Sequence, residues 1–122
     1  MIEPNAIVLY VEDLALSSEF YTNLLGLSLE EDSPTFHSFT LSKGMGLGLK
    51  AKHSVPETVS RNSCSELAFI LENKDKVDEL FAEWQKKEIE FAQGPSDLAY
   101  GYAFVALDPD GNRLRVVSLQ KI

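Results

Sequence analysis

The feature that most limits what this chain can fold into is an internal repetition. Ile7 opens IVLYVED and Leu67 opens LAFILEN, each a short apolar run closed by an acid and a polar residue. Runs of this length, rich in branched and aromatic residues, read as strands. Each leads to a helix-capping residue, Asp13 or Asn73, and then to apolar residues at helical spacing. In the first helix Leu16, Phe20 and Leu24 recur with Tyr21 beside them, and Gly26 stands where a left-handed residue ends a helix. In the second, Val77, Leu80, Phe81 and Trp84 fall at i, i+3, i+4 and i+7. Asp75 lies in its first turn and Lys86 and Lys87 near its last, as the helix dipole favours.

Three further strands follow each helix. In the first half they are SLEED, FHSFTLS and GLGLKA, the last two joined at Lys43-Gly44; in the second they are IEFAQG, YAFVALD and RLRVVSL, the last two joined at Asp110-Gly111. The pattern is β-α-β-β-β, twice, which predicts an α+β fold. The organisation expected is a single domain over 1–122, with module one at 1–51, a polar Pro-containing linker at 52–65 and module two at 66–122.

Composition excludes several function classes. A net charge of −8 argues against nucleic acid, which needs clustered Lys and Arg. No apolar run approaches the roughly 20 residues of a membrane span, and no partner membrane is expected. The N-terminus, MIEPNAIVLYVEDL, lacks the basic start of a signal peptide, and the single cysteine, Cys64, forbids an intrachain disulfide; a cytoplasmic protein is expected. Ser17-Ser18 and Ser60–Ser65 lack a partnered His and Asp, and GMGLG lacks the Lys-Ser/Thr ending of a phosphate loop.

Alternation places Ile7, Leu9 and Val11 against the first helix, leaving Ala6, Val8 and Tyr10 on the other face. In the second module Leu67, Phe69, Leu71, Leu114 and Val116 meet the helix, while Glu66, Ala68, Ile70, Arg113, Arg115 and Val117 face away. Gly46 and Gly48 share the outward parity. Two glycines there read either as an open floor for a flat guest or as a bulge in a curved sheet. Tyr10, Phe36, Phe39, Tyr100, Tyr102 and Phe104 are candidate walls, of which pattern assigns only Tyr10.

Through VEDLALSSEFYTNLLGL and DPDGNRLRVV the chain resembles the vicinal oxygen chelate superfamily of glyoxalase I, extradiol dioxygenases and bleomycin- and fosfomycin-resistance proteins. SELAFILENKDKVDELFAEWQKK and YGYAFVALDPDG look closest to its phenazine-resistance members. The resemblance implies curved mixed sheets around a cavity, helices on the convex side, and a homodimer. Metal-dependent members place four ligands in that cavity. Those positions fall here on Ala6, Gly48, Glu66 and Arg115. Alanine and glycine have no side-chain donor, and arginine stays protonated with no lone pair to give. Neither histidine, His37 or His53, falls at a ligand position. No metal and no cofactor are therefore expected.

The function expected is a metal-free protein that sequesters a small aromatic compound, plausibly an antibiotic, without changing it. The expected ligand-binding residues are Tyr10, His37, Phe39, Gly48, Lys50, Glu66, Tyr102, Phe104 and Arg115. Arg115 either pairs with Glu66 as a structural bridge or takes an anionic group of the ligand, with Lys50 beside it. One alternative is an enzyme of the superfamily, a lyase or isomerase, with Glu66 as a base of raised pKa among Ala68 and Ile70. The other is a binder of a cationic bleomycin-type drug, for which the acidic charge is the supporting feature.

Overall fold

A computed structural model describes residues 5–54 and 65–119. Most of the expected linker, with Cys64, lies outside the described residues, as does the N-terminal tetrapeptide. The chain forms two compact units, Met1–Ser63 and Cys64–Ile122. Among the described residues no helix is long and apolar enough to cross a membrane.

Unit 1 runs β1 (Ala6–Val11), α1 (Leu14–Leu25), β2 (Glu31–Asp32), β3 (Phe36–Thr40) and β4 (Gly46–Ala51), followed by a 3-10 turn at Lys52–Ser54. Unit 2 repeats the order as β5 (Glu66–Ile70), α2 (Lys74–Lys86), β6 (Glu90–Leu98), β7 (Gly101–Leu107) and β8 (Arg113–Leu119). Each unit holds one four-stranded mixed sheet, ordered β1-β4-β3-β2 and β5-β8-β7-β6. The first and last strands of each unit pair in parallel, and the rest are antiparallel.

Local chemistry sets the helix ends. Asp13 Oδ1 accepts from Leu16 N at 3.0 Å, and Asn73 Oδ1 accepts from Lys76 N at 3.0 Å, so each cap satisfies a donor the helix leaves open. Gly26 ends α1 at φ 69°, a conformation that side chains rarely adopt.

Helix and sheet bury one another. In unit 1 the core comprises Leu9, Val11, Leu14, Tyr21, Leu24, Phe39, Leu47 and Leu49. The α1 face differs from the expected Leu16–Phe20–Leu24 stripe. Leu16 is 52% exposed, whereas Leu14, Ser17, Ser18, Tyr21 and Leu24 are buried. Close approach of a helix to a sheet selects for size as well as hydropathy, and two serines fit where leucine and phenylalanine would not. Ile7 has the parity of Leu9 and Val11 but remains exposed at the start of an edge strand. In unit 2, Phe81, Trp84, Phe91 and Phe104 form one aromatic cluster with centroids 4.7 to 5.7 Å apart. Its rings meet mostly edge to face, worth about 0.5–1.5 kcal/mol per pair beyond area burial.

The turn between β7 and β8 follows DPDGN closely. Asp108 Oδ1 accepts from Asp110 N at 2.9 Å and Asn112 N at 2.8 Å, and Asn112 Nδ2 donates to Asp108 Oδ2 at 2.8 Å. Gly111 takes φ 82°. Asn112 Oδ1 also accepts from Ser65 N at 2.9 Å, tying the turn to the approach to β5. Strand β6 is longer than expected. It continues through Gly94 and Pro95 to Leu98, with register shifts between Phe91 and Ser96. Proline is tolerated there because β6 is the outer strand of its sheet.

Candidate functional site

The parallel register positions the site. Glu66 lies opposite Arg113 and Ala68 opposite Arg115, so all four project from the face that α2 does not cover. Val116 and Phe104, on the intervening parity, take the α2 side; Phe104 packs on Trp84 and Phe81. Glu66 Oε1 accepts from Arg115 Nε at 3.1 Å and lies 3.0 Å from Arg115 Nη2. Arg113 Nε reaches the same oxygen at 3.3 Å. Two guanidiniums therefore converge on one carboxylate oxygen.

Desolvation pushes the Glu66 carboxyl up, but the hydrogen bonds and charges of Arg115 and Arg113 together outweigh it and leave the pKa below the ordinary value. The expectation of a raised pKa at Glu66 is corrected by this pairing. A carboxylate held ionised by two cations is a poor proton acceptor near neutrality.

Tyr100 completes the arrangement. Its hydroxyl meets Arg115 Nη1, and its ring centroid lies 5.4 Å from the Arg115 Cζ. It sits in the two-residue turn between Leu98 and Gly101, which pair with one another. Gly101 opposes Leu119, Ala103 opposes Val117 and Val105 opposes Arg115, so the Tyr100–Arg115 contact spans the row of Ala103 and Val117. Sequence pattern left Tyr100 unassigned because a turn residue has no strand parity; the one signal was the following glycine, at φ 150°.

The helix-free face of unit 1 is built differently. Ala6 opposes Gly46, Val8 opposes Gly48 and Tyr10 opposes Lys50, and Phe36 joins them as the β3 partner of Lys50. Val8 and Tyr10 are exposed. Of the two readings of the glycine pair, an open floor does not describe Gly48, where a Cβ would meet the Phe36 ring at 2.7 Å. Lys50 Nζ stands 6.0 Å from the Phe36 centroid.

Four expected ligand-binding residues lie on the helix side of their sheets. Phe39 is buried opposite Leu47, and Phe104 is fully buried in the α2 cluster. Tyr102 donates its phenol to Asp78 of α2 at 2.6 Å; that hydrogen bond, with desolvation and the Asp78 and Asp97 charges, pushes its pKa up to about 12. His37 opposes Leu49, and its Nε2 lies 2.8 Å from Asp32 Oδ1. The physical reason is common to all four: the aromatics of β3 and β7 supply volume under the helices, and alternation then denies them the other face. Tyr10, Gly48, Lys50, Glu66 and Arg115 take the helix-free faces.

The positions that correspond to metal ligands do not fit an ion. Ala6 and Gly48 offer no side-chain donor, and the Phe36 ring covers Gly48. The Glu66 oxygen already accepts from two guanidiniums, and Arg115 brings a cation. Among the described residues no three His, Cys, Asp or Glu side chains gather into a metal-holding group.

Comparison with known proteins agrees with this architecture. The family model described as Glyoxalase/Bleomycin resistance protein/Dioxygenase superfamily matches residues 4–116. The chain is 27% identical over 121 residues to the phenazine antibiotic resistance protein EhpR of Enterobacter agglomerans, covering 97% of this chain and 93% of that protein. It is 28% identical over 114 residues to the metallothiol transferase FosB of Staphylococcus haemolyticus, covering 92% and 80%. Among solved structures, protein ATC0852 of Agrobacterium tumefaciens matches with a TM-score of 0.88 and 42% identity, covering 99% of this chain and all of that one.

Proposed function

The chain belongs to the Glyoxalase/Bleomycin resistance protein/Dioxygenase superfamily, and from that premise we propose that it binds and holds a small planar aromatic compound without an ion and without changing it. The observation that carries this reading is Arg115, a guanidinium tied to Glu66 at the place where metal-dependent relatives carry a carboxylate. The helix-free face of unit 2 supplies a charged network for a ligand's polar group, and that of unit 1, taken by itself, offers Tyr10, Val8 and Phe36 as apolar surface. The relative named for phenazine resistance, matched over nearly the whole of both chains, makes a phenazine the first compound to try.

The test is equilibrium dialysis of chelator-treated protein against phenazine, followed by mass spectrometry of the recovered compound. Saturable one-to-one binding and unaltered compound are expected. A requirement for added divalent metal, or a chemically changed product, overturns the reading. A cytoplasmic homodimer belongs to the same proposal; sedimentation at micromolar concentration checks its mass.

A second reading, enzymatic, is favoured by the transferase relative. It lacks a base in the described network, since Glu66 is held ionised by its arginines. The bleomycin-type alternative rests on net charge alone. The contacts on the unit 2 face place two guanidiniums against one carboxylate, which disfavours a cation there.

A further inference from the structure

Among the described residues, the charge on the helix-free face of unit 2 does not balance. Arg113 and Arg115 both reach Glu66 Oε1, leaving one positive charge uncompensated within the contact network; the next carboxylate of that row, Glu90, stands two strands away beyond Leu107. Arg115 spends Nε and Nη2 on Glu66 and turns Nη1 to the Tyr100 hydroxyl. A neutral phenol is a weak partner for a guanidinium. A carboxylate adds a full opposite charge and matches the guanidinium fork.

Tyr100 also has the shape of a guest. It is an aromatic ring ending in an oxygen acceptor, carried on a two-residue turn, 42% exposed, and it reaches Arg115 across small Ala103 and Val117. We infer that this face takes the carboxylate of a planar aromatic ligand at Arg113 and Arg115, and that Tyr100 occupies the place until the ligand displaces it. The inference rests on the aromatic-binder reading and adds the recognition role of Arg113 and the gating role of Tyr100. Arg113 is the accessible half of the pair, since it holds Glu66 only through Nε while its side chain is 42% exposed. Displacement gives up the guanidinium's hydrogen bond to a neutral oxygen and its contact with the Tyr100 ring, and frees that ring to stack on the incoming plane.

The experiment uses the full chain with phenazine-1-carboxylate, its neutral carboxamide, and benzoate. Affinities come from calorimetry, and the arginine Nε–Hε resonances from NMR. The wild type is expected to bind the carboxylate at least tenfold more tightly than the carboxamide. Tyr100→Phe removes the competing acceptor and is expected to bind the carboxylate about threefold more tightly, with a smaller gain for the carboxamide. Arg113→Met is expected to lose about tenfold on the carboxylate alone, with Arg113→Lys recovering part of it.

Equal affinity for carboxylate and carboxamide overturns the anion subsite and leaves the aromatic-binder reading standing. Weaker carboxylate binding by Tyr100→Phe overturns displacement, because the hydroxyl then contacts the ligand. If neither phenazine binds but benzoate shifts the Arg113 and Arg115 resonances, the subsite stands and a phenazine is ruled out as the ligand. If benzoate shifts neither, the subsite falls too.

Discussion

The two units share a topology and a register but not a surface. In each, the first strand lies parallel to the last with the same offset: Ala6 opposes Gly46 and Val8 opposes Gly48, as Glu66 opposes Arg113 and Ala68 opposes Arg115. On the helix sides the chemistry is alike, with leucine, valine and aromatic residues buried under one helix. On the helix-free sides it diverges. Unit 1 presents apolar and aromatic side chains over glycine, and unit 2 presents an ionic network. One parity of each strand packs under the helix, and the other carries the difference between the units, together with the buried Ala103, Val105 and Val117 of unit 2. Ala6, Gly48, Glu66 and Arg115 all lie on this second parity.

The contrast between the two faces makes its largest prediction at Phe104. Truncating this fully buried ring to alanine should cost about 3–5 kcal/mol in urea unfolding. Intact stability with lost ligand affinity would instead put Phe104 on the ligand side and break the face assignment. The two β-hairpin turns offer the next test. Asp108→Ala strips two backbone N–H groups and the Asn112 amide of their acceptor and should cost about 2–3 kcal/mol. Lys43→Ala, in the corresponding turn of unit 1, should stay within about 0.5 kcal/mol in the same urea titrations.

Gly48→Val asks whether the unit 1 floor is occupied. The new side chain must push the Phe36 ring aside, and because that ring is the movable end of a half-buried side chain the cost should be near the low end, about 1 kcal/mol. No loss of thermal stability would mean that the floor is open after all.

The smallest effect is expected at Glu66→Gln, about 0.5 kcal/mol at neutral pH, because the pair is solvent-exposed. Its signature is the pH dependence. The folded-state pKa of Glu66 lies below its ordinary 4.5, so its contribution is complete above 4.5 and is lost as pH falls through the lowered value. The wild-type and Glu66→Gln stability curves should therefore differ at neutral pH and converge on the acid side. A gap that persists unchanged into acid would show that the ionised carboxylate is not what stabilises the wild type there.

Which face several candidate side chains take was legible from alternation alone. Tyr10, Lys50, Glu66 and Arg115 reach the faces assigned to them because a strand's period of two is fixed by covalent geometry. The faces of Phe39, Tyr102 and Phe104 were not legible, because FHSFT and YAFVAL carry aromatic or apolar residues on both parities and pattern cannot then say which set the helix takes. The α1 stripe was misread for a related reason: hydropathy favoured Leu16 over Ser17, while packing favoured the smaller residue.

By itself the sequence determined the repeated β-α-β-β-β order, both helix caps, the Gly26 stop and the DPDGN turn. Each is a local device whose partners lie within a few residues along the chain. Only the tertiary structure decided that Phe36 covers Gly48, that one Glu66 oxygen serves two arginines, and that Tyr100 reaches Arg115. Those contacts join residues brought together by strand pairing and turn geometry, and the rotamers that complete them are chosen by neighbours that no local pattern contains.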